Sequence, residues 1–228
     1  MSDYHLEPIA FLRTPFPEKF GIPRQPGLVP AATATLELQE PFRRAGVFDG
    51  LEGTSHLWLL FVFHHQPDDW QPKVRPPRLG GNEKRGVFAT RSPRRPNRLG
   101  MSVVKLEKVL PEAFRLEVSG VDLLDGTPIV DIKPYVPYSD SLPQATHGFA
   151  TGEPERRPVD FSEDVAVALR DRPDLKDLIE QILSLDPRPR YHQDEREYGT
   201  ALAGYNVRWR VLENRMLVES LEPLTSNS

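Results

Sequence analysis

The chain is 228 residues long, 38% hydrophobic and 27% charged. That is enough apolar material for one large domain, or a medium domain with a small partner, and too much for wholesale disorder. It has no cysteine, so disulfides, thiolate metal sites and cysteine nucleophiles are excluded. The net charge of −4 argues against a nucleic-acid partner until it is resolved locally: Lys73 to Arg98 holds nine basic residues and one acidic residue, a segment of +8 on a remainder of −12.

From the N-terminus, Met1 to Ala10 shows no basic stretch followed by an apolar run. The longest apolar run, Leu57 to Phe63, is seven residues, too short to span a bilayer, so a soluble, cytoplasmic protein is expected. Twenty-four prolines, most of them in the first 160 positions, argue against long helices there. Short strand-like runs fill the gaps: Ala34 to Leu38, Leu57 to Phe63, Val87 to Thr90, Ser102 to Val109, Phe114 to Val121 and Ile129 to Ile132. Phe114 to Val118 alternates as a strand with one buried face should, whereas Leu57 to Phe63 is apolar on both faces and reads as a central strand. Thr151 to Pro158 reads as a polar linker. Beyond it, helices are predicted from Ser162, as N-cap, to about Arg170, and from Pro173 to about Leu185. Gly204 to Val211 and Met216 to Leu221 read as a closing hairpin. The prediction is a mainly β protein, with a β-barrel domain over 1–150 and a small α+β domain over 151–228.

Several chemistries lack their signatures. No glycine-rich loop opens a helix in the dinucleotide or P-loop pattern, and no nucleophile elbow is present. The one dense metal-like cluster is His64, His65, Asp68 and Asp69. If the two histidines lie on a strand, they point to opposite faces and cannot readily chelate one ion, so no metal is expected. Four segments are instead suited to close backbone approach of a ligand. They are Pro23-Arg24-Gln25-Pro26-Gly27, His64-His65, Arg91 to Gly100, and Asp122 to Pro128 leading to Asp131-Ile132-Lys133-Pro134-Tyr135. Each alone has a plainer reading: turn chemistry, a satisfied core histidine, or an Asp125-Gly126 hairpin turn.

Together these segments resemble the TrmO family, also called the YaeB or TsaA-like proteins. The resemblance rests on Pro23-Arg24-Gln25-Pro26-Gly27-Leu28-Val29, Ser55-His56-Leu57-Trp58, Val74-Arg75-Pro76-Pro77-Arg78, Gly86 to Ser92, and Arg95-Pro96-Asn97. It continues through Asp125-Gly126-Thr127-Pro128, Asp131 to Tyr135, Asp186-Pro187-Arg188-Pro189 and Asn206 to Arg210. It implies a β-barrel methyltransferase working as a homodimer, with S-adenosylmethionine as methyl donor. The implied substrate is N6-threonylcarbamoyladenosine 3′ of the anticodon in threonine tRNA, methylated on N6. Donor-binding positions carry over to Pro23, Arg24, Gln25, His64, His65, Arg91, Leu99, Asp122, Leu123, Leu124 and Asp125. His65 departs from the glutamine common at its position in that family and exchanges an amide for an imidazole.

Methyl transfer from a sulfonium asks the protein mainly for alignment and exclusion of water. A hydrogen-bond acceptor for the adenine N6–H is expected from Asp131 or the carbonyls near Lys133, with Tyr135 as a stacking face. The alternative is that Asp131 and Lys133 pair structurally and Tyr135 is core. The tRNA contacts are expected at Arg75, Arg78, Lys84, Arg85, Arg94, Arg95, Asn97, Arg98 and Lys133. Arg156, Arg157, Arg188, Arg190 and Arg208 extend that surface or pair with neighbouring acids. Two other readings stay open: a non-catalytic RNA-binding module, and a metal-dependent hydrolase built on His64 and His65.

Overall fold

The computed structural model describes residues 5–67, 69–80, 83–188 and 196–224. In chain order its strands begin with β1 (Ala10–Arg13), β2 (Thr33–Leu38), β3 (His56–Val62), β4 (Lys73–Val74), β5 (Arg85–Gly86) and β6 (Leu99–Leu110). They continue with β7 (Arg115–Ser119) and β8 (Thr127–Pro134). Six of these close a barrel in the order β1-β2-β7-β6-β3-β8, with every pairing antiparallel. Period-two alternation fills it: Leu12, Leu36, Leu57, Leu59, Leu116 and Ile129 are fully buried, each worth about 1.5–3 kcal/mol on removal from water.

Closure corrects the reading of Leu57 to Phe63 as a central strand, because a closed barrel has neither centre nor edge. β3 has the same two-neighbour environment as the rest. Its second apolar face, Trp58, Leu60 and Val62, lies half-buried on the barrel's outside. Val87 to Thr90 is not a strand either. Val87–Ala89 forms a 3-10 turn, in which both the amide and the hydroxyl of Thr90 donate to the Val87 carbonyl, 3.1 and 2.8 Å. That local bonding competes with a ladder, and only Val87 is buried.

After a one-turn helix, α1 (Pro137–Asp140), a second unit follows, made of β9 (Val159–Phe161), α2 (Glu163–Ala168), α3 (Pro173–Ser184), β10 (Tyr198–Leu202), β11 (Tyr205–Leu212) and β12 (Arg215–Pro223). Its sheet runs β10-β11-β12-β9, with β9 parallel to β12. Ser162 caps α2 by accepting the Val165 amide, as its position predicts. Leu175, Leu178, Ile179, Ile182 and Leu183 form the buried stripe of α3. Trp209 is fully buried, stacks on Tyr198 at 4.9 Å and donates to Thr200 Oγ1 at 2.9 Å.

Candidate functional site

Three loops emerge from one end of the barrel: 14–32 between β1 and β2, 63–98 between β3 and β6, and 120–126 between β7 and β8. Every residue carried over as a donor contact lies in one of them or, for Leu99, on the first residue of β6. The last loop decides the geometry. β7 and β8 are separated by two strands whichever way the barrel is followed, so 120–126 crosses the mouth, and Asp125-Gly126 is not a hairpin turn.

Asp122 stands over that mouth. Ser102, the first buried inward residue of β6, donates its hydroxyl to Asp122 Oδ1 at 2.6 Å. Burial pushes the Asp122 carboxyl up to about 6, against the opposing pull of the Ser102 hydrogen bond, its own backbone amide and the Arg91 charge. Arg91 in turn donates to Gln25 Oε1 at 2.6 Å. Gln25, Arg91 and Asp122 are therefore neighbours although 97 positions separate the first from the last. The crossing loop is pinned from below. Thr14 donates its amide to Asp125 Oδ1 (2.9 Å) and its hydroxyl to the Leu123 carbonyl (3.0 Å), and Thr127 donates its hydroxyl to the Leu124 carbonyl (2.7 Å).

The histidines flank this group. β3 ends at Val62, so His64 and His65 lie in a turn and not on a strand. Their rings are 4.2 Å apart on one side, which corrects the opposite-face expectation. Lys19 Nζ donates to the His65 carbonyl at 2.7 Å. Burial, followed by the charges of His65 and Lys19, holds the His64 imidazole below its ordinary pKa, with Asp125 opposing. His64 is therefore neutral at pH 7. Asp68 lies outside the described residues, and Asp69 is exposed.

Pro23 is buried, Gln25 half-buried and Arg24 exposed. Ser102, Thr14 and Lys19 were missed from sequence. A signal existed for Ser102, a hydroxyl on the inward register of an apolar strand, and for Lys19, in a Glu18-Lys19-Phe20 segment that also resembles the TrmO family, whereas Thr14 gave none.

The basic segment sorts into two groups. Half-buried Arg78, Arg95 and Arg98 donate to the carbonyls of Gly152, Thr90 with Ser92, and Gln66, and so brace the loop. Arg75, Lys84, Arg85, Arg94 and Asn97 are exposed, Arg85 beside Glu83 at 2.5 Å. In the second unit Arg188 binds Asp186 through two nitrogens, at 2.8 and 2.9 Å, and Arg208 pairs with Glu197 and Glu222. Arg190 lies outside the described residues.

Asp131, Lys133 and Tyr135 lie away from the mouth. The Asp131 carboxylate pairs with Lys133 Nζ at 2.9 Å on the outside of β8. The Tyr135 amide bonds the His56 carbonyl, and its ring packs 5.9 Å from Trp58. His56 and Val62 stand at opposite ends of β3, so Tyr135 lies roughly 20 Å along the strand from the end that leads to the histidine pair.

The fold and its loops define a closed antiparallel barrel whose candidate ligand groups are gathered at one mouth, outside the parallel-sheet and helix-terminus classes of nucleotide site. Residues 11–141 match the family described as tRNA-methyltransferase O N-terminal domain, and 154–224 match the TrmO C-terminal domain. A protein of Escherichia coli K12 named tRNA (adenine(37)-N6)-methyltransferase is 45% identical over 98% of this chain and 100% of its own length. A Pseudomonas aeruginosa protein, provisionally named an S-adenosylmethionine-dependent methyltransferase, is 50% identical over 90% of this chain and 92% of its own. A crystal structure of TrmO from P. aeruginosa superposes with a TM-score of 0.82 at 41% identity, covering 98% of this chain and 99% of the other. The chain belongs to the TrmO family.

Proposed function

We propose that this chain is an S-adenosylmethionine-dependent tRNA methyltransferase acting on N6 of the adenine 3′ to the anticodon, with N6-threonylcarbamoyladenosine in threonine tRNA as substrate. The observation that carries the reading is the meeting of Gln25, Arg91 and Asp122 over the barrel mouth, beside a neutral His64. A methyl donor with a sulfonium, an amine and a carboxylate needs both an anionic and a cationic partner in one site. Asp122 and Arg91 supply the two, and Arg91 has the planar fork suited to a carboxylate.

The bound donor supplies an activated methyl group. The residues supply position: Asp122 attracts the cationic end, Gln25 and His64 offer neutral hydrogen-bonding groups, and the pinned 120–126 loop fixes the register. The exposed Arg75, Lys84 and Arg94 set the anticodon stem-loop against the mouth through its phosphates. In this reading 1–150 is the donor-binding barrel and 151–228 an accessory domain. A tRNA substrate fits work in the cytoplasm.

Asp131 and Tyr135 reach this mouth only from a second copy. Val62 pairs with Leu99, Leu60 with Met101 and Trp58 with Val103, so the outside of β3 and β6 presents a registered apolar band. Leu99 and Met101 are 39% and 54% exposed. The outside of a solvated antiparallel sheet is ordinarily polar, and such a band fits a self-complementary dimer face. Two copies pairing there head to foot place the partner's Tyr135 near this mouth. The decisive experiment is mass spectrometry of tRNA nucleosides from a strain lacking the gene. The methylated threonylcarbamoyladenosine should be replaced by its unmethylated form, and persistence of the methylated nucleoside would refute the assignment.

A further inference from the structure

The 14–32 loop carries Gln25 to the mouth, yet much of what holds it lies in the C-terminal unit. Glu18 accepts the Ala201 amide at 3.1 Å. Gly21 packs so tightly on Thr200 that a Cβ there would lie 2.5 Å from its methyl group. Arg24 donates to the Arg188 carbonyl at 3.3 Å, and the Leu28 carbonyl accepts from Arg156 at 2.6 Å. The Ala31 amide donates to Gln181 Oε1 at 3.0 Å. These contacts recur every three or four residues along one edge of the loop, while its other edge meets the site through Lys19 with the His65 carbonyl and Gln25 with Arg91.

We propose that the C-terminal unit is a clasp that sets the shape of this loop and thereby the affinity for the methyl donor, with Gln181 and Arg188 as positioning residues. The inference rests on the donor site proposed above and assigns the unit a role distinct from holding tRNA. Residues 14–32 form a 19-residue connection with no strand or helix, and with Gly21 and Gly27 at positive φ. A free loop of that length samples many shapes, and a ligand that binds one of them loses affinity in proportion to the others. Holding one edge from outside removes that loss before the donor arrives. The clasp is itself fixed. Asp186, at φ 47°, holds Arg188 through two guanidinium hydrogen bonds and one from its backbone amide, and also pairs with Arg157 at 3.4 Å.

The test compares three variants of the full-length protein. Gln181→Met removes the acceptor at nearly constant length, Gln181→Glu retains one, and Asp186→Asn removes the charge that holds Arg188 while tolerating positive φ. Calorimetry with S-adenosylmethionine, anisotropy with an anticodon stem-loop RNA, and KM and kcat for each substrate are the readouts. Gln181→Met and Asp186→Asn should weaken donor binding and raise its KM by about fivefold, the size of one net hydrogen bond. Gln181→Glu should restore both, with stem-loop affinity and kcat at saturating donor unchanged throughout. Unaltered donor affinity in both weakening variants overturns the clasp, and so does a loss confined to the stem-loop. Gln25→Ala separates the two proposals. If it too leaves donor affinity unchanged, the donor site falls with the clasp; if it alone weakens binding, only the clasp falls.

Discussion

Replacing Asp122 with asparagine removes one negative charge from the barrel mouth and leaves the side chain's size nearly unchanged. With its carboxyl at about 6, the group is about 90% ionised at pH 7 and about 10% at pH 5. If the ionised form holds the cationic donor, affinity in the parent falls about ninefold between those pH values. Asp122→Asn should bind about tenfold more weakly at pH 7 and lose most of that slope. His64 gains its proton only below its ordinary range, so its protonation adds to any fall that survives in the variant near pH 5. Folding stability moves the other way. Because burial raises this carboxyl, the stability it contributes is complete below 3.8 and is lost as pH rises through about 6. The variant should therefore melt at or above the parent temperature at pH 8 and bind less well there. Calorimetry at fixed ionic strength from pH 5 to 8, with melting curves alongside, reads both. A variant with the parent's slope between pH 7 and 5.5 would refute the reasoning.

Arg91→Ala should weaken donor binding about tenfold, the worth of a charge-assisted hydrogen bond, with stem-loop affinity intact by anisotropy. Gly100→Ala should cost about 1–3 kcal/mol in denaturant titration, since its Cβ would stand 2.3 Å from the buried Phe61 ring. Replacing Arg75, Lys84 and Arg94 together by alanine should lower the slope of log affinity for tRNA against log salt by about 2, a little under one per phosphate contact. Asp131→Asn and Tyr135→Ala should slow turnover at saturating donor without changing donor affinity; parent rates in both would remove them from the chemistry.

The local elements were legible where one periodicity dominated. Alternation marked β7, a continuous apolar run marked β3, the apolar stripe marked α3, and Ser162 announced α2 by its capping position. β1 escaped because four residues ending in exposed Arg13 give too little alternation, and β9 because its three residues are all half-buried. β10 was lost behind Gly199, whose missing side chain makes room for Asn206. The convergence of the three loops was not legible at all. It follows from a strand order in which chain neighbours such as β7 and β8 are not sheet neighbours, and no residue pattern encodes that order locally. The opposite-face expectation for the His64 and His65 rings fails for a related reason: β3 stops at Val62, so the alternation of a strand gives way to the geometry of a turn just before them.

The mouth also says which kinetic constant each residue should govern. A cation is disfavoured at a helix N-terminus, where the macrodipole and free amides are positive, and strand-end loops carry no such dipole. In the proposed donor site the charges near the mouth are those of named side chains: Asp122 to attract the sulfonium, Arg91 to meet the carboxylate end, and His64 kept neutral by burial. Methyl transfer to a neutral nitrogen spreads positive charge away from sulfur, so an anion beside the sulfur holds the ground state at least as strongly as the transition state. Asp122 therefore belongs to binding and not to acceleration. Its asparagine variant should raise the donor KM with kcat preserved, whereas loss of an acceptor for the N6 proton, where charge accumulates, should lower kcat.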